Sequence, residues 1–195
     1  MAPRGSYAKG VAKRAEILDT ALDIVARNGY SGATLKELAD AVGLSQNGLL
    51  HYFGSKDELF TEVLRRRDEV DRAAQPDAQA SEIPEGFARF VQHNADVPGL
   101  VQLFARLSNE AAEPQHPSHA YFAERYEIVR ATGRGLFERL QAEERLDAGL
   151  DADRLAVVLY SLIDGLQTQW MFDPSIDMAD HVRYFFALLG VAPRP

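Results

Sequence analysis

The sequence specifies an all-α fold, and three observations say so. Apolar residues recur at intervals of three and four, while strand-like alternation is absent. Ala, Leu, Glu and Arg, which lose little rotamer freedom on entering a helix, dominate these periodic stretches. Capping residues, glycines and prolines bracket them, and about nine helices fit within the 195 residues.

Each helix has its own local warrant. The first is expected from Gly10 to about Asn28, where Ile17, Leu18, Ala21, Leu22 and Val25 share one face and Gly29 supplies a C-cap. Thr34 and Glu37 stand at capping-box spacing and start a short helix that runs to about Val42. Gly43 breaks it, and Ser45 caps a third helix that reaches Phe53. Ser55 and Glu58 form a second capping box and open a fourth helix, with Leu59, Phe60, Val63 and Leu64 on one face. That helix can continue to Ala74, a rod of roughly 28 Å. Residues 75–84 are polar, with Pro near both ends, and read as a linker. Further helices are expected over about Glu85–Asn94, Gly99–Glu113, Ser118–Leu146, Ala152–Phe172 and Met178–Leu189, punctuated by Pro98, Pro114, Pro117 and Pro174.

Charge and composition narrow the function. The net charge is −8, but residues 1–56 carry +2 and residues 57–195 carry −10. A mildly basic head on an acidic body suggests two jobs. There is no cysteine, which excludes disulfides, thiolate nucleophiles and cysteine-based metal sites. No apolar run reaches the ~18 residues that a membrane span needs. The basic start is not followed by the apolar run of a signal peptide, because Glu16, Asp19 and Asp23 interrupt the pattern. A cytoplasmic protein without a cofactor or bound metal is expected. An enzyme is not, since no glycine-rich phosphate loop, serine elbow or paired-carboxylate site can be placed. His116 and His119, near Glu110 and Glu113, have a spacing that a metal could use, but Pro117 between them makes the stretch a loop entering a helix.

The informative segment is Thr34–Phe53, TLKELADAVGLSQNGLLHYF. Two short helices flank a tight turn at Val42–Ser45. Ala39 is small where two helices cross, and Leu35, Leu38, Leu44 and Leu49 fill the inside. This is helix-turn-helix spacing, in which the second helix enters the DNA major groove; a plain helical hairpin would share much of it. The flanks add anchors. Gly43-Leu44-Ser45, His51-Tyr52-Phe53 and Ser55-Lys56-Asp57-Glu58-Leu59 hold fixed spacings, preceded by Ala15-Glu16-Ile17-Leu18, Ala21-Leu22, Gly29-Tyr30 and Ala33-Thr34. Over about residues 12–64 the chain resembles the TetR family of bacterial transcriptional regulators. One position departs: Leu50 stands where that family usually has a tyrosine that meets a phosphate.

The resemblance implies an N-terminal three-helix DNA-binding domain over residues 1–56, with its helix-turn-helix at about 34–53. A helical regulatory and dimerisation domain would then occupy residues 57–195. It implies base-edge contacts from Gln46, Asn47, Gly48 and His51; Gln and Asn suit adenine, and Gly48 lets the backbone come close. It places Thr34, Tyr52 and Lys56 on phosphates and Lys36 at the groove edge, with Ser45 at the helix start. The basic stretch Arg4 to Arg14 could add nonspecific affinity, or be a plain tail. The partner is a palindromic operator duplex, bound by a homodimer. The last two helices can supply the dimer interface through Leu155, Leu159, Leu162, Val182, Phe185, Phe186 and Leu189, whose alternative role is core. In such a family the body senses a small molecule, here of unknown identity. Phe87, Phe90, Phe104, Tyr121, Phe122, Tyr126, Trp170 and Phe172, with Asn94, Gln167, Asn109 and Arg106 as polar anchors, are pocket candidates or core. The acidic body points to a small apolar effector, neutral or cationic, whose binding would release a repressor from its operator. A dimeric regulator with no small-molecule ligand is the alternative reading.

Overall fold

The computed structural model describes residues 4–74 and 83–191. Among them lie nine helices and no strand: α1 Arg4–Gly32, α2 Leu35–Ala41, α3 Gln46–Phe53, α4 Lys56–Ala74, α5 Ile83–Asp96, α6 Pro98–Glu110, α7 His119–Ala142, α8 Ala152–Phe172 and α9 Met178–Leu188. They divide into two compact units. The first comprises Met1–Ala74 and Val97–His119; the second comprises Gln75–Asp96 and Ala120–Pro195.

In the first unit α1 is the central strut. It packs against α2, α4 and α6, while α3 is held between α2 and α4. Its inward face is the one read from the spacing, with Ile17, Leu18, Ala21 and Val25 buried. Two helices beyond residue 56, α4 and α6, thus help to build this unit. Helix α6 begins with Pro98, whose missing N–H costs nothing at a helix start. The next residue, Gly99, decides how closely α6 can approach. A Cβ there would overlap the Val25 carbonyl oxygen and lie 2.8 Å from Gly29 Cα. Only a residue without a side chain lets the two backbones cross at this distance.

The second unit is built from α5, α8, α9 and α7 from Ala120 onward. Its core joins Ile83, Ala88 and Val91 to Phe137 and Leu140, and these to Leu159, Ile163, Val182 and Phe186. The Phe186 ring lies 5.9 Å from Phe87 and 6.1 Å from Phe137, so three helices share one aromatic contact. Aspartates start both terminal helices: Asp151 accepts from the Arg154 N–H at 3.1 Å and Asp177 from the Asp180 N–H at 2.9 Å.

Several boundaries differ from the sequence reading, each for a local reason. Helix α1 starts six residues earlier, at Arg4, and continues past Gly29 to Gly32 across a kink at that glycine. The expected basic tail is therefore the first part of α1, and the side chains of residues 4–7 lie outside the described set, as does linker segment 75–82. Helix α7 ends at Ala142 instead of about Leu146. Its end is a Schellman turn: the Arg145 N–H bonds to the Leu140 carbonyl at 2.9 Å and the Glu144 N–H to the Gln141 carbonyl at 3.0 Å. The left-handed residue is Glu144, with φ 56°, where a sequence reader looks for glycine.

Gly99→Ala is expected to destabilise the protein by about 2–3 kcal/mol or more, the cost of overpacking against backbone that cannot retreat. Thermal unfolding by circular dichroism measures it, and an unchanged midpoint would mean that α6 shifts away at no cost.

Candidate nucleic-acid interface

The turn between α2 and α3 is a second Schellman ending, here with the glycine it favours. The Leu44 N–H reaches the Ala39 carbonyl at 2.9 Å, the Gly43 N–H reaches the Asp40 carbonyl, and Gly43 has φ 69°. Ser45 then starts α3, its Oγ accepting from the Gly48 N–H at 3.0 Å. Thr34 caps α2 in the same way, accepting from the Glu37 N–H at 3.1 Å. The Glu37 carboxylate does not turn back to complete that capping box; it accepts from Asn28 Nδ2. Both cap hydroxyls use an acceptor lone pair and keep their hydrogen as a donor. Ser45 and Thr34 can cap a helix and donate to a phosphate at once.

Helix α3 has two distinct faces. Leu49 and Phe53, four residues apart, are buried, at 0% and 6% exposure. Gln46, Asn47 and His51 are exposed on the other side, while Gly48, Leu50 and Tyr52 are half-buried. The amide and imidazole groups expected at base edges therefore share one open surface. At Gly48 an added Cβ would come within 3.2 Å of Ser45 Oγ, so the glycine also protects the cap. Thr34, Lys36 and Lys56 are exposed. The Lys56 ammonium lies over the rings of Tyr30 and Phe60, at 5.2 and 5.5 Å.

Two residues of the basic N-terminal stretch hold this arrangement together. Both terminal nitrogens of Arg14 donate to Glu62 Oε2 at 3.0 Å, and its guanidinium covers the Phe53 ring at 4.7 Å. Lys13 donates to the Val42 carbonyl at 2.7 Å, satisfying the C-terminal end of α2. Lys13 and Arg14 are structural members of the first unit, not free charges of a tail. The histidine pair is likewise occupied. His119 Nδ1 donates to the Ala111 carbonyl at 2.8 Å, and His116 Nδ1 accepts the Ser118 N–H at 3.2 Å. No group of three metal-ligating side chains occurs among the described residues.

The residues named for the body separate. Phe104, Arg106 and Asn109 belong to the first unit, whereas Phe87, Phe90, Asn94, Tyr121, Phe122, Tyr126, Gln167, Trp170 and Phe172 belong to the second. In the second unit a polar cluster stands out. Tyr160, Asp164 and Gln167 lie along one stripe of α8, at helical spacing. Tyr126 of α7 donates to Asp164 Oδ2 at 2.9 Å, and the Phe87 ring meets Tyr160 edge-on at 6.2 Å. Burial raises the Asp164 pKa above the ordinary carboxylate value, with the Tyr126 bond and the Arg125 charge opposing. Burial also pushes the Tyr160 phenol up to about 12 and, with the Asp164 charge, raises that of Tyr126. Asp164 escaped the sequence reading. Its signal was an acid inside the apolar run Leu162-Ile163-Asp164-Gly165-Leu166.

The residues named for the dimer face divide by burial. Leu159, Val182 and Phe186 are each 0% exposed within the single chain, so they fill its core. Leu155, Leu162, Phe185 and Leu189 are half-buried against the same core. The open apolar side chains on these two helices are Val157, Val158 and Phe172 on α8 and Tyr184 and Leu188 on α9, at 49%, 50%, 87%, 62% and 67% exposure.

Known proteins resemble both parts of the chain. Residues 17–63 match the family model of bacterial regulatory proteins, tetR family, and residues 100–187 match that of the BetI-type transcriptional repressor, C-terminal. The HTH-type transcriptional repressor AcnR of Corynebacterium efficiens is 42% identical over 57 residues, 29% of this chain and 30% of that protein. That match spans under a third of the relative's length. The HTH-type transcriptional regulator AcrR of Shigella flexneri is 25% identical over 190 residues, covering 90% of this chain and 86% of that one. A transcriptional regulator from Saccharomonospora viridis, solved in complex with choline, is 26% identical with a TM-score of 0.68, over 93% of this chain and 98% of that one. No helix among the described residues is long and apolar enough to cross a membrane.

The Asp164 carboxyl sets a pH dependence. Its pKa is raised above the ordinary 3.8, so the folded chain keeps a proton there that the unfolded chain has already released. Stability contributed at this site is therefore present at low pH and is lost as pH rises through the raised value. Asp164→Asn, which still accepts from Tyr126, is expected to flatten that decline. Unfolding midpoints of both proteins between about pH 4 and 7 check it, and parallel curves would show that the carboxyl is not strained.

Proposed function

The chain belongs to the TetR family of bacterial transcriptional regulators, and from that premise we propose a cytoplasmic repressor that binds a palindromic operator as a homodimer and leaves it when a small organic cation is bound. Its DNA-reading elements lie within residues 1–56, and its effector and dimerisation elements within residues 57–195.

The observation that carries the DNA-binding part is the two-faced α3. A short helix with Leu49 and Phe53 buried and Gln46, Asn47 and His51 open suits major-groove reading. Gln46 and Asn47 offer the paired donor and acceptor that adenine N6 and N7 require. Thr34, Ser45, Lys36, Tyr52 and Lys56 surround that face and would set its register through phosphates, without reading sequence. One such helix reads only a few base pairs, so specificity needs two of them on one operator. Val157, Val158, Tyr184 and Leu188 are the apolar surface that a second copy would cover.

The effector reading rests on Asp164. A half-buried carboxylate with a raised pKa costs stability, and such groups concentrate at functional sites. Here it stands among Tyr126 and Tyr160, with Phe87 beyond. A carboxylate beside aromatic rings recognises an organic ammonium, by charge on one side and ring faces on the other. The net −10 of residues 57–195 favours a cation as well. The S. viridis regulator, solved with choline, gives the size class for a probe. An effector acts if it binds the DNA-free arrangement more tightly than the DNA-bound one, which shifts the population away from the operator.

The first experiment is selection from a random duplex pool, which should return a palindromic consensus; recovery of no consensus would remove the sequence-specific reading. On that consensus, Gln46→Ala is expected to cost ~1–3 kcal/mol at one base position in each half-site. An equal loss on every duplex would take Gln46 off the base edges. Val158→Glu paired with Leu188→Glu is expected to yield monomers in sedimentation, and a persistent dimer would move the interface elsewhere. Choline is expected to raise the melting temperature of the native protein and to weaken operator binding, with both effects reduced in Asp164→Asn. An identical response in that variant would place the cation elsewhere.

A further inference from the structure

Helix α6 stands outside the three helices that resemble the helix-turn-helix, yet it lines the same groove as two residues expected on phosphates. This groove of the first unit, with a volume of about 410 Å³, is bounded by Tyr30, Ala33, Thr34, Leu35, Lys56 and Arg106. We propose that Arg106 of α6 is a DNA-backbone contact, and that the groove between Thr34, Lys56 and Arg106 receives one operator phosphate. This rests on the DNA-binding reading above and adds a residue from beyond the helix-turn-helix to it.

Charge carries the argument first. The Arg106 guanidinium lies 4.8 Å from the centre of the Tyr30 ring, and the Lys56 ammonium lies 5.2 Å from the same centre. Two cations thus converge on one aromatic ring. Glu110 accepts from Arg106 Nε at 2.9 Å, and this is the carboxylate bonded to the pair. Asp57 acts electrostatically on Tyr30 too, and its Oδ2 stands 3.7 Å from His116 Nε2. Among the described residues no carboxylate is paired with Lys56. Two cations at one ring, with only Arg106 bonded to a carboxylate, offer donors to an anion.

Hydrogen-bonding capacity supplies the rest. The bond to Glu110 uses only Nε, so both terminal nitrogens of Arg106 remain for a phosphate, which the planar fork fits bidentately. Thr34 keeps its hydroxyl hydrogen, since its Oγ1 serves as acceptor in the α2 cap. Tyr30 adds a phenolic O–H, whose pKa burial raises further above neutrality. The site also resists collapse. Arg106 touches Glu110 on one side and the Tyr30 ring on the other, and these contacts orient its fork. The bland reading is an Arg106–Glu110 surface pair that only trims the helix.

The two readings separate on the salt dependence of DNA binding. Fluorescence anisotropy would follow the full-length protein on a labelled mixed-sequence duplex and on its selected consensus, across a series of salt concentrations. Arg106→Gln is expected to weaken both duplexes alike and to lower the magnitude of the log–log salt slope by about 0.9, the loss of one phosphate contact. Arg106→Lys should keep the slope while binding less tightly, because charge remains and the fork is lost. Lys56→Ala should lower the slope similarly, which supports the groove as a backbone site. A native slope in Arg106→Gln beside a lowered slope in Lys56→Ala would overturn the Arg106 contact while DNA binding itself stands. Absence of salt-sensitive binding in the native protein would overturn the DNA-binding reading, and this proposal with it. A last arm uses inorganic phosphate at constant ionic strength. If it stabilises the native protein but not Arg106→Gln, and the DNA slopes are equal, the groove serves a free anion and the backbone contact is wrong.

Discussion

An eight-residue helix cannot hold itself in water, and the DNA-facing surface rests on one. Nucleation is too costly for two turns to persist without tertiary support. Helix α3 gets that support chiefly from two buried side chains, Leu49 and Phe53, with Leu50 and Tyr52 half-buried beside them. Everything on its outer face keeps its direction because those two are buried. Arg14 reinforces the arrangement, covering Phe53 while binding Glu62 of α4. Its bonds thereby connect α1, α3 and α4. A residue that looks from the sequence like part of a DNA-binding basic tail is thus the brace of the recognition helix.

The first unit shows how backbone contact can matter more than side-chain volume. Helix α6 reaches α1 because Gly99 has no Cβ, and the α1 backbone at Val25 and Gly29 fills the space. That close crossing brings Gln102 beside Gly29 and Arg106 over Tyr30. Beyond it, a buried hydrogen bond of 2.6 Å joins Thr61 of α4 to Ser118 at the start of α7. The segment after α6 is fastened to α4 by this bond and by the approach of His116 to Asp57. The helix-turn-helix thus belongs to a larger unit whose other members come from later in the chain.

The second unit carries a different tension. Its core is ordinary aliphatic and aromatic packing, but Asp164 interrupts the stripe of α8 with a carboxyl that burial pushes toward its neutral form. The Tyr126 hydroxyl offsets part of that cost by donating to the carboxyl. Sequence reasoning named its partner Tyr126 and its helix neighbour Gln167 and passed over the acid itself. A lone Asp in a long helix resembles any solvent-facing charge until the helix is packed.

What the chain specifies locally was legible in advance. Helix starts follow from Thr34, Ser45, Ser55, Asp151 and Asp177, and the α2–α3 turn follows from Gly43, because a cap is a bond between residues close in sequence. The α7 end was misjudged because Glu144 adopts the left-handed backbone that glycine normally marks. What depends on packing was not legible. Leu159, Val182 and Phe186 share spacing and chemistry with Val158 and Leu188, and periodicity shows only that a helix has an apolar face. It takes the neighbouring helices to decide which of those residues are core and which remain surface. The same holds for Arg106 beside Tyr30, a meeting of residues 76 positions apart, which no local pattern encodes. Secondary structure is written in short-range bonds, whereas burial and charge pairing are properties of the assembled unit.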